Sequence, residues 1–527
     1  MKINWSSIDW PNVTKRIKRT QGRIFKLSQG NKREPMRLLQ RKLIRSLDAK
    51  LLAIKRVTME NKGKHIPGLD KKFYLEPSEK SKLVTKLKLD GTCAPIRKVW
   101  VAKPGKIDKK PLGILIIADR VRQALTELAL EPEWEAKFDP NSYGFRPGKS
   151  CHDAIEAIFK NIHYTGKPNF QPKYVLDANL KKCFDTINHQ YLLEKLDTLP
   201  EIQNQVEEWL KAGMVEDYLE SNKYSKIQSS TITIRTPQRG IISRLLSNIA
   251  LDGLEKHLEN WIGKQPVPEL TSRDRRVAKT KSLTVIRYAD DFVVMHKDLD
   301  ILKKAKNEIK KWLEETSKFA FNEDKTRIVR ASNGFQFLGF SIILIKRNKT
   351  YRTKIYASQE SQSRIIQKIG DVCRKNRASS SYQLINLLRP IVLGWGNYYK
   401  YTECQKIFSS MDYKIFNILR AWVFRRARKN KGRIETKEKY FPSNQIFEFE
   451  GRVYKDNWVF TGQQLGKNGK KLHNFLPKLS WFQSSKDVKV RGSGNSPYDG
   501  NHIYWGARLE KDYAFNRRQL HLLKKQN

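Results

Sequence analysis

Tyr288-Ala289-Asp290-Asp291 places two adjacent carboxylates between two apolar, β-branched runs, residues 282–287 and 292–295. Runs of that kind read as strands, and Ala-Asp-Asp reads as the tight connection between them. Two acids at a hairpin tip make poor core and suit a bound cation. Hard divalent ions such as Mg²⁺ take oxygen ligands of this type. A two-metal site built on them would serve phosphoryl or nucleotidyl transfer.

The elements that must hold such a tip are legible around it. Tyr174 to Leu180 reads as a short strand. Residues 301–317 give the clearest amphipathic helix, with Ile301, Leu302, Ala305, Ile309, Trp312 and Leu313 on one face. A strand region follows through residues 337–343. Upstream, residues 8–60 are helical in pattern and rich in Lys and Arg. Residues 98–118 alternate as a strand pair around Lys103-Pro104-Gly105, residues 119–130 return to helical spacing, and residues 140–150 form a loop. Residues from about 360 to about 430 are again helical in period. The last hundred or so residues read as loops and small strands.

With 527 residues, 39% hydrophobic and 10% aromatic, the chain supports several domains with real cores. Its 103 Lys+Arg against 54 Asp+Glu leave a net charge of +49, spread along the whole length. That excess calls for a polyanion with a long contact path, RNA or DNA. Cys93, Cys151, Cys183, Cys373 and Cys404 are scattered, with no Cys-x-x-Cys pair. This excludes a disulfide framework and a Cys-rich zinc site, and a reducing compartment is expected. His473, His502 and His521 are too dispersed for a zinc site. No run approaches the ~18–20 apolar residues of a membrane span, and the first residues do not read as a signal peptide. A soluble protein made where it works is expected, in a bacterial cytoplasm or the interior of a plastid or mitochondrion.

Several ordered blocks together resemble the reverse transcriptase/maturase proteins encoded by group II introns. They are Ile8-Asp9-Trp10 with residues 49–57, then Lys110-Pro-Leu-Gly-Ile-Leu-Ile-Ile-Ala-Asp-Arg120, and Tyr143-Gly-Phe-Arg-Pro-Gly-Lys-Ser-Cys-His-Asp-Ala154. Thr236-Pro-Gln-Arg-Gly-Ile-Ile-Ser-Arg-Leu-Leu-Ser-Asn248, Arg287-Tyr-Ala-Asp-Asp-Phe292, Lys325-Thr326 and Phe335-Gln-Phe-Leu-Gly-Phe340 follow. Leu393-Gly-Trp-Gly-Asn-Tyr-Tyr399, and Trp422 with Arg425, Arg426 and Lys429, resemble the maturase or thumb domain. Lys489-Val-Arg-Gly, Ser496-Pro-Tyr-Asp-Gly500 and Tyr504-Trp505 resemble the DNA-binding segment behind it.

The resemblance implies an α+β right-hand polymerase: fingers and an antiparallel palm sheet, a helical thumb/maturase domain and a small basic C-terminal region. The expected division is a basic helical extension over 1–75, fingers and palm over 76–345, thumb over 346–475 and a DNA-binding-like remnant over 476–527. Many relatives continue into an endonuclease domain with paired cysteines and histidines. With no Cys after Cys404, DNA nicking is not expected of this polypeptide.

The family's palm carries three carboxylates. Two match Asp290 and Asp291, but the third falls where this sequence has Asn179. Asp290, Asp291, Asn179 and the neighbouring Leu180 make the implied set for Mg²⁺. An Asn oxygen still ligates Mg²⁺ but brings no charge, which weakens metal binding and alignment of the attacking 3′-oxygen. A rate loss of several orders of magnitude is expected. Asp177 shares the strand face but is displaced by roughly 6.5–7 Å, and reads as an ordinary polar neighbour. Phe184 matches the aromatic that excludes a ribose 2′-hydroxyl, although a core role fits it equally. Lys103 and Lys110 fall where cations meet the incoming triphosphate, and Gln238 matches a nucleotide-contacting glutamine. Arg239 stands in place of a Gly, and glycine serves where backbone approaches a ligand. Arg244 and Leu115 each stand in place of a Pro. These departures imply relaxed demand on DNA synthesis.

The maturase blocks keep their pattern better. Tyr398, Tyr399 and Lys400 offer stacking and packing surfaces, while Trp395 reads mainly as core. Arg425, Arg426 and Lys429 are expected to grip phosphates. The expected function is therefore a maturase that binds group II intron RNA and promotes its splicing on a degenerate polymerase site, with a DNA target left open. The alternative is an active RNA-directed DNA polymerase of a mobile intron.

Overall fold

The computed structural model describes residues 3–102, 109–163, 166, 170–181, 186–216, 240–266, 275–348, 350–426, 432–466, 469–485, 490, 492, 494–509, 519 and 522. The chain forms two compact units, and neither is one continuous stretch. The first comprises Met1–Ala154, Leu176–Arg327 and Val490–Asn527; the second comprises Ile155–Val175 and Ile328–Lys489.

In the first unit, helices Trp10–Gln29, Arg33–Arg45 and Leu47–Lys55 pack with helix Ile117–Glu135. The first starts where Asp9 accepts the Asn12 N–H at 3.1 Å and Pro11 supplies a preset φ. Its Val13, Ile17, Ile24 and Phe25 form one buried stripe. Helix Ile117–Glu135 is buried on most sides and carries acids inward, which require partners. Arg37 meets Glu133 at 2.8 Å, Arg146 meets Glu135 at 2.9 Å, and Arg56 pairs with Glu127.

Strands Ile96–Ala102 and Lys109–Ile114 pair antiparallel, and Met214–Glu216 adds in parallel to the first of them. The larger sheet runs in the order Thr284–Tyr288, Asp291–His296, Tyr174–Lys181, Ala320–Phe321. Helix Leu299–Glu315 covers it with the face expected from its period, Ile301, Leu302, Ala305, Ile309, Trp312 and Leu313 all being buried.

The second unit opens with antiparallel strands Phe335–Phe337, Phe340–Arg347 and Thr350–Ala357. Helices Gln359–Lys375, Ser381–Tyr399 and Gln405–Phe424 follow. Ser380 and Gln383 close a capping box at the second of these. Two hairpins come next, Gln445–Phe449 with Arg452–Asp456 and Thr461–Leu465 with Lys471–Phe475.

The fold is α+β, as expected from the sequence. The compact units nonetheless cut across the linear division: Val490–Asn527 belongs with the first unit, and Ile155–Val175 with the second. The C-terminal stretch also holds two helices, Arg433–Tyr440 and His502–Leu509, where loops and strands were expected. Cys93, Cys151, Cys373 and Cys404 are free thiols. Among the described residues no helix is long and apolar enough to cross a membrane.

Candidate active site and candidate RNA surface

The two acids sit on a two-residue hairpin. Tyr288 pairs with Asp291, leaving Ala289 and Asp290 as the turn. Ala289 has φ of 58°, a conformation usually given to glycine in such turns. The neighbouring loop holds it there. The Arg287 N–H donates to the Asn141 carbonyl at 2.9 Å, and the Tyr143 N–H donates to the Arg287 carbonyl at 2.8 Å. Gly144 lies so close that a Cβ there would stand 2.3 Å from the Ala289 nitrogen. That contact explains the glycine of the Tyr-Gly-Phe-Arg block.

Asn248 completes the brace. Its amide donates to the Gly144 carbonyl at 2.8 Å, and its oxygen accepts from Arg287 at 3.1 Å. Arg287 is fully enclosed, and burial lowers its pKa against the pull of Asp139 and Asp252. A lone arginine inside the apolar run of residues 282–288 was the available signal that something buried must pair with it.

The strand beside the hairpin carries Asn179. Along it Leu176, Ala178 and Leu180 are buried, while Asp177 and Asn179 share the other, half-exposed face. The Leu180 N–H donates to the Asp290 carbonyl at 3.1 Å, which fixes the strand against the turn. The Asn179 amide N–H donates to Asp291 Oδ1. Burial raises the Asp291 carboxyl above its usual range; Asn179 and Lys325 oppose the rise and Asp290 adds to it. Where a carboxylate at position 179 would repel Asp291 and call for a cation between them, the amide makes a direct bond instead.

Asp177 takes no part in that pairing. Arg327 Nε lies 3.5 Å from its carboxylate. Burial pushes the Asp177 carboxyl up to about 6, with Arg327 opposing and Asp291 contributing. Among the described residues no group of three or more His, Cys, Asp and Glu side chains converges as a metal site. A divalent cation would be held by Asp290 and Asp291, with the Asn179 oxygen as a neutral third donor on reorientation of its amide. A second ion would lack its third anion.

Lys103, Phe184, Gln238, Arg239 and Lys429 lie outside the described residues. Lys110 pairs through its backbone with Val101. Leu115 is core, 3% exposed. Arg244 stacks its guanidinium 4.8 Å from the Phe145 ring, and Phe145 lies 6.4 Å from Tyr288.

In the second unit the aromatic pair of the maturase block is turned inward. The Tyr399 hydroxyl lies 3.1 Å from the Gly339 carbonyl and 2.7 Å from Ser361 Oγ, and that of Tyr398 donates to the Leu338 carbonyl at 3.0 Å. Both rings contact Phe340 at 5.1 Å. Tyr399 is 3% exposed, so it has no face for a base, and the stacking expected of it is corrected to packing. Lys400 bonds Asn397 at 3.0 Å. Arg426 lies over the Trp422 ring and donates to the Arg377 carbonyl, whereas Arg425 is exposed. Lys406, Lys414 and Arg420 are exposed on helix Gln405–Phe424.

The C-terminal blocks dock on the first unit. Both oxygens of the fully buried Asp153 carboxylate accept from Arg508, at 2.8 and 2.7 Å, and the Val490 N–H donates to one of them at 2.8 Å. Arg508 Nε donates to the Gly148 carbonyl at 3.1 Å. Gly148 has φ of 73° and no room for a Cβ, because Trp505 would stand 2.5 Å away. The Tyr498 hydroxyl bonds the Glu131 carboxylate.

Comparison with known proteins agrees with this layout. Residues 101–342 match the model for reverse transcriptase (RNA-dependent DNA polymerase), residues 5–87 that for the N-terminal domain of reverse transcriptase, and residues 362–441 that for the group II intron maturase-specific domain. Protein YkfC of Escherichia coli is 30% identical over 316 residues, 55% of this chain and 78% of that protein. The group II intron-encoded protein LtrA of Lactococcus lactis is 28% identical over 380 residues, 63% of this chain and 60% of the relative. Maturase-like protein 1 of Euglena longa is 26% identical over 408 residues, 76% of this chain and 79% of the relative. With the paired acids on a palm-type hairpin and the maturase-specific segment following in sequence, the chain belongs to the group II intron-encoded reverse transcriptase/maturase family.

Proposed function

We propose that this protein is a maturase that binds group II intron RNA and promotes its splicing, and that its polymerase site is degenerate. The observation that carries the second half is the bond from the Asn179 amide to Asp291. It joins two groups that would otherwise both serve as metal ligands. Mg²⁺ held by Asp290 and Asp291 would neutralise developing charge on a transferred phosphoryl group. Among the described residues no third His, Cys, Asp or Glu side chain converges with these two for that work. The matched maturase-specific domain and the net charge of +49 support RNA as the partner, with phosphate contact from Arg425 and the exposed cations of helix Gln405–Phe424. The working compartment is a bacterial cytoplasm or an organelle interior.

Two assays test the proposal. Purified protein is expected to accelerate splicing of its own intron at low Mg²⁺; no acceleration would remove the basis for the maturase reading. In primer extension on an RNA template, little synthesis is expected. Robust Mg²⁺-dependent synthesis that vanishes in Asp290→Ala would instead establish the active polymerase. Asn179→Asp is expected to raise primer extension by at least an order of magnitude, by restoring the third anion.

A further inference from the structure

The second unit contains an open cavity of about 440 Å³, lined in part by the segment that matches the maturase-specific domain. Its floor is apolar and buried, formed by Val392, Leu419, Phe441 and Phe460. Its mouth carries rings left in solvent: Tyr413 is 67% exposed and Trp458 is 50% exposed. Phe416 stands between floor and mouth, with ring centroids 5.3 Å from both Phe441 and Trp458 in edge-on geometry.

The polar lining is compensated internally. Asp412 accepts the Leu479 and Ser480 N–H groups at 2.7 and 2.9 Å, one on each oxygen. Lys478 donates to Asp456 at 2.7 Å. Lys437 Nζ lies 5.1 Å from the Trp458 ring centroid and pairs with Glu438 at 2.6 Å, while Lys406, Lys414 and Arg420 are exposed on the helix that carries Tyr413. Protein interiors rarely leave openings larger than a water molecule. A ligand-sized hollow spans roughly 300–1,000 Å³. Aromatic rings beside cations suit an unpaired base with its phosphate, because every base offers a π-face and RNA is read largely where its bases are unstacked.

We infer that this cavity receives one unpaired base of single-stranded RNA, packed against the exposed rings of Tyr413 and Trp458, with the neighbouring lysines on its flanking phosphates. The inference rests on the RNA-binding reading and gives it a base-holding site.

The test uses the full chain, a single-stranded RNA oligonucleotide carrying one 2-aminopurine, and a blunt RNA duplex of equal length. Trp458→Ala and Tyr413→Ala change exposed rings, and circular dichroism checks that the fold is kept. Wild type is expected to bind the single strand and quench the 2-aminopurine. Each alanine variant is expected to bind it about tenfold more weakly and quench less, the loss of one stacking contact. Trp458→Phe should recover most of the binding, and duplex affinity should stay unchanged throughout. Equal single-strand affinity and quenching in wild type and both alanine variants would overturn the pocket while leaving RNA binding intact. A wild-type protein that bound neither RNA would overturn the RNA-binding reading itself.

Discussion

A single amide decides how the paired acids behave. Asn179 meets Asp291 through a hydrogen bond, and Asp177 is held by Arg327. The raised Asp177 pKa has a readable consequence. At about 6 in the folded protein, against roughly 3.9 when unfolded, Asp177 binds an extra proton in the native state between those values. Stability from this group is therefore present below about pH 4 and is lost as pH rises through about 6. Asp177→Asn should gain thermal stability over wild type at pH 8 and show no such gain at pH 4; an identical difference at both values would contradict the assignment. Gly144 acts at the same scale. Gly144→Ala drives a methyl into the backbone of the turn and should cost about 3 kcal/mol in denaturant unfolding. A cost near zero would mean that the loop does not brace the hairpin.

At the scale of elements, the C-terminal helix is an anchor for the loop that follows Tyr143. Arg508 and Asp153 form a buried, two-oxygen pair 355 residues apart, with Val490 on the same carboxylate. Removing one member strands the other in low dielectric. Arg508→Ala should therefore destabilise the first unit by roughly 3 kcal/mol and speed hydrogen exchange over residues 494–509. Unchanged exchange there would show that the segment is held by its apolar contacts alone. The block resembling a DNA-binding segment thus has Tyr498, Trp505 and Arg508 engaged in intramolecular packing.

For the whole molecule, charge is the dominant quantity. A formal net charge of +49 over 527 residues makes association with RNA strongly salt-dependent. The logarithm of the affinity for intron RNA should fall linearly with the logarithm of salt concentration, at about 0.7 to 0.9 per phosphate neutralised. Arg425→Ala should lower that slope by about one. A slope unchanged by the substitution would place Arg425 outside the interface. Binding insensitive to salt would remove the charge argument for RNA.

Sequence by itself determined the local and the ancestral. The helix at residues 299–315, the strand of residues 174–181 and the strands on either side of Tyr-Ala-Asp-Asp follow from period and composition, which act over a few residues. The family followed from the order of the blocks, and the Asn179 departure was visible because one residue type differs in charge from another. Only the tertiary structure decided what touches what. It turned Tyr399 inward onto Gly339 and Ser361, joined Arg508 to Asp153, closed Asn248 onto Arg287, and opened a cavity that the exposed rings of Tyr413 and Trp458 help to line. Those outcomes depend on burial and on pairing between residues far apart in the chain. A helical period marks a helix face as apolar, but it does not say whether a neighbouring element or a ligand covers that face.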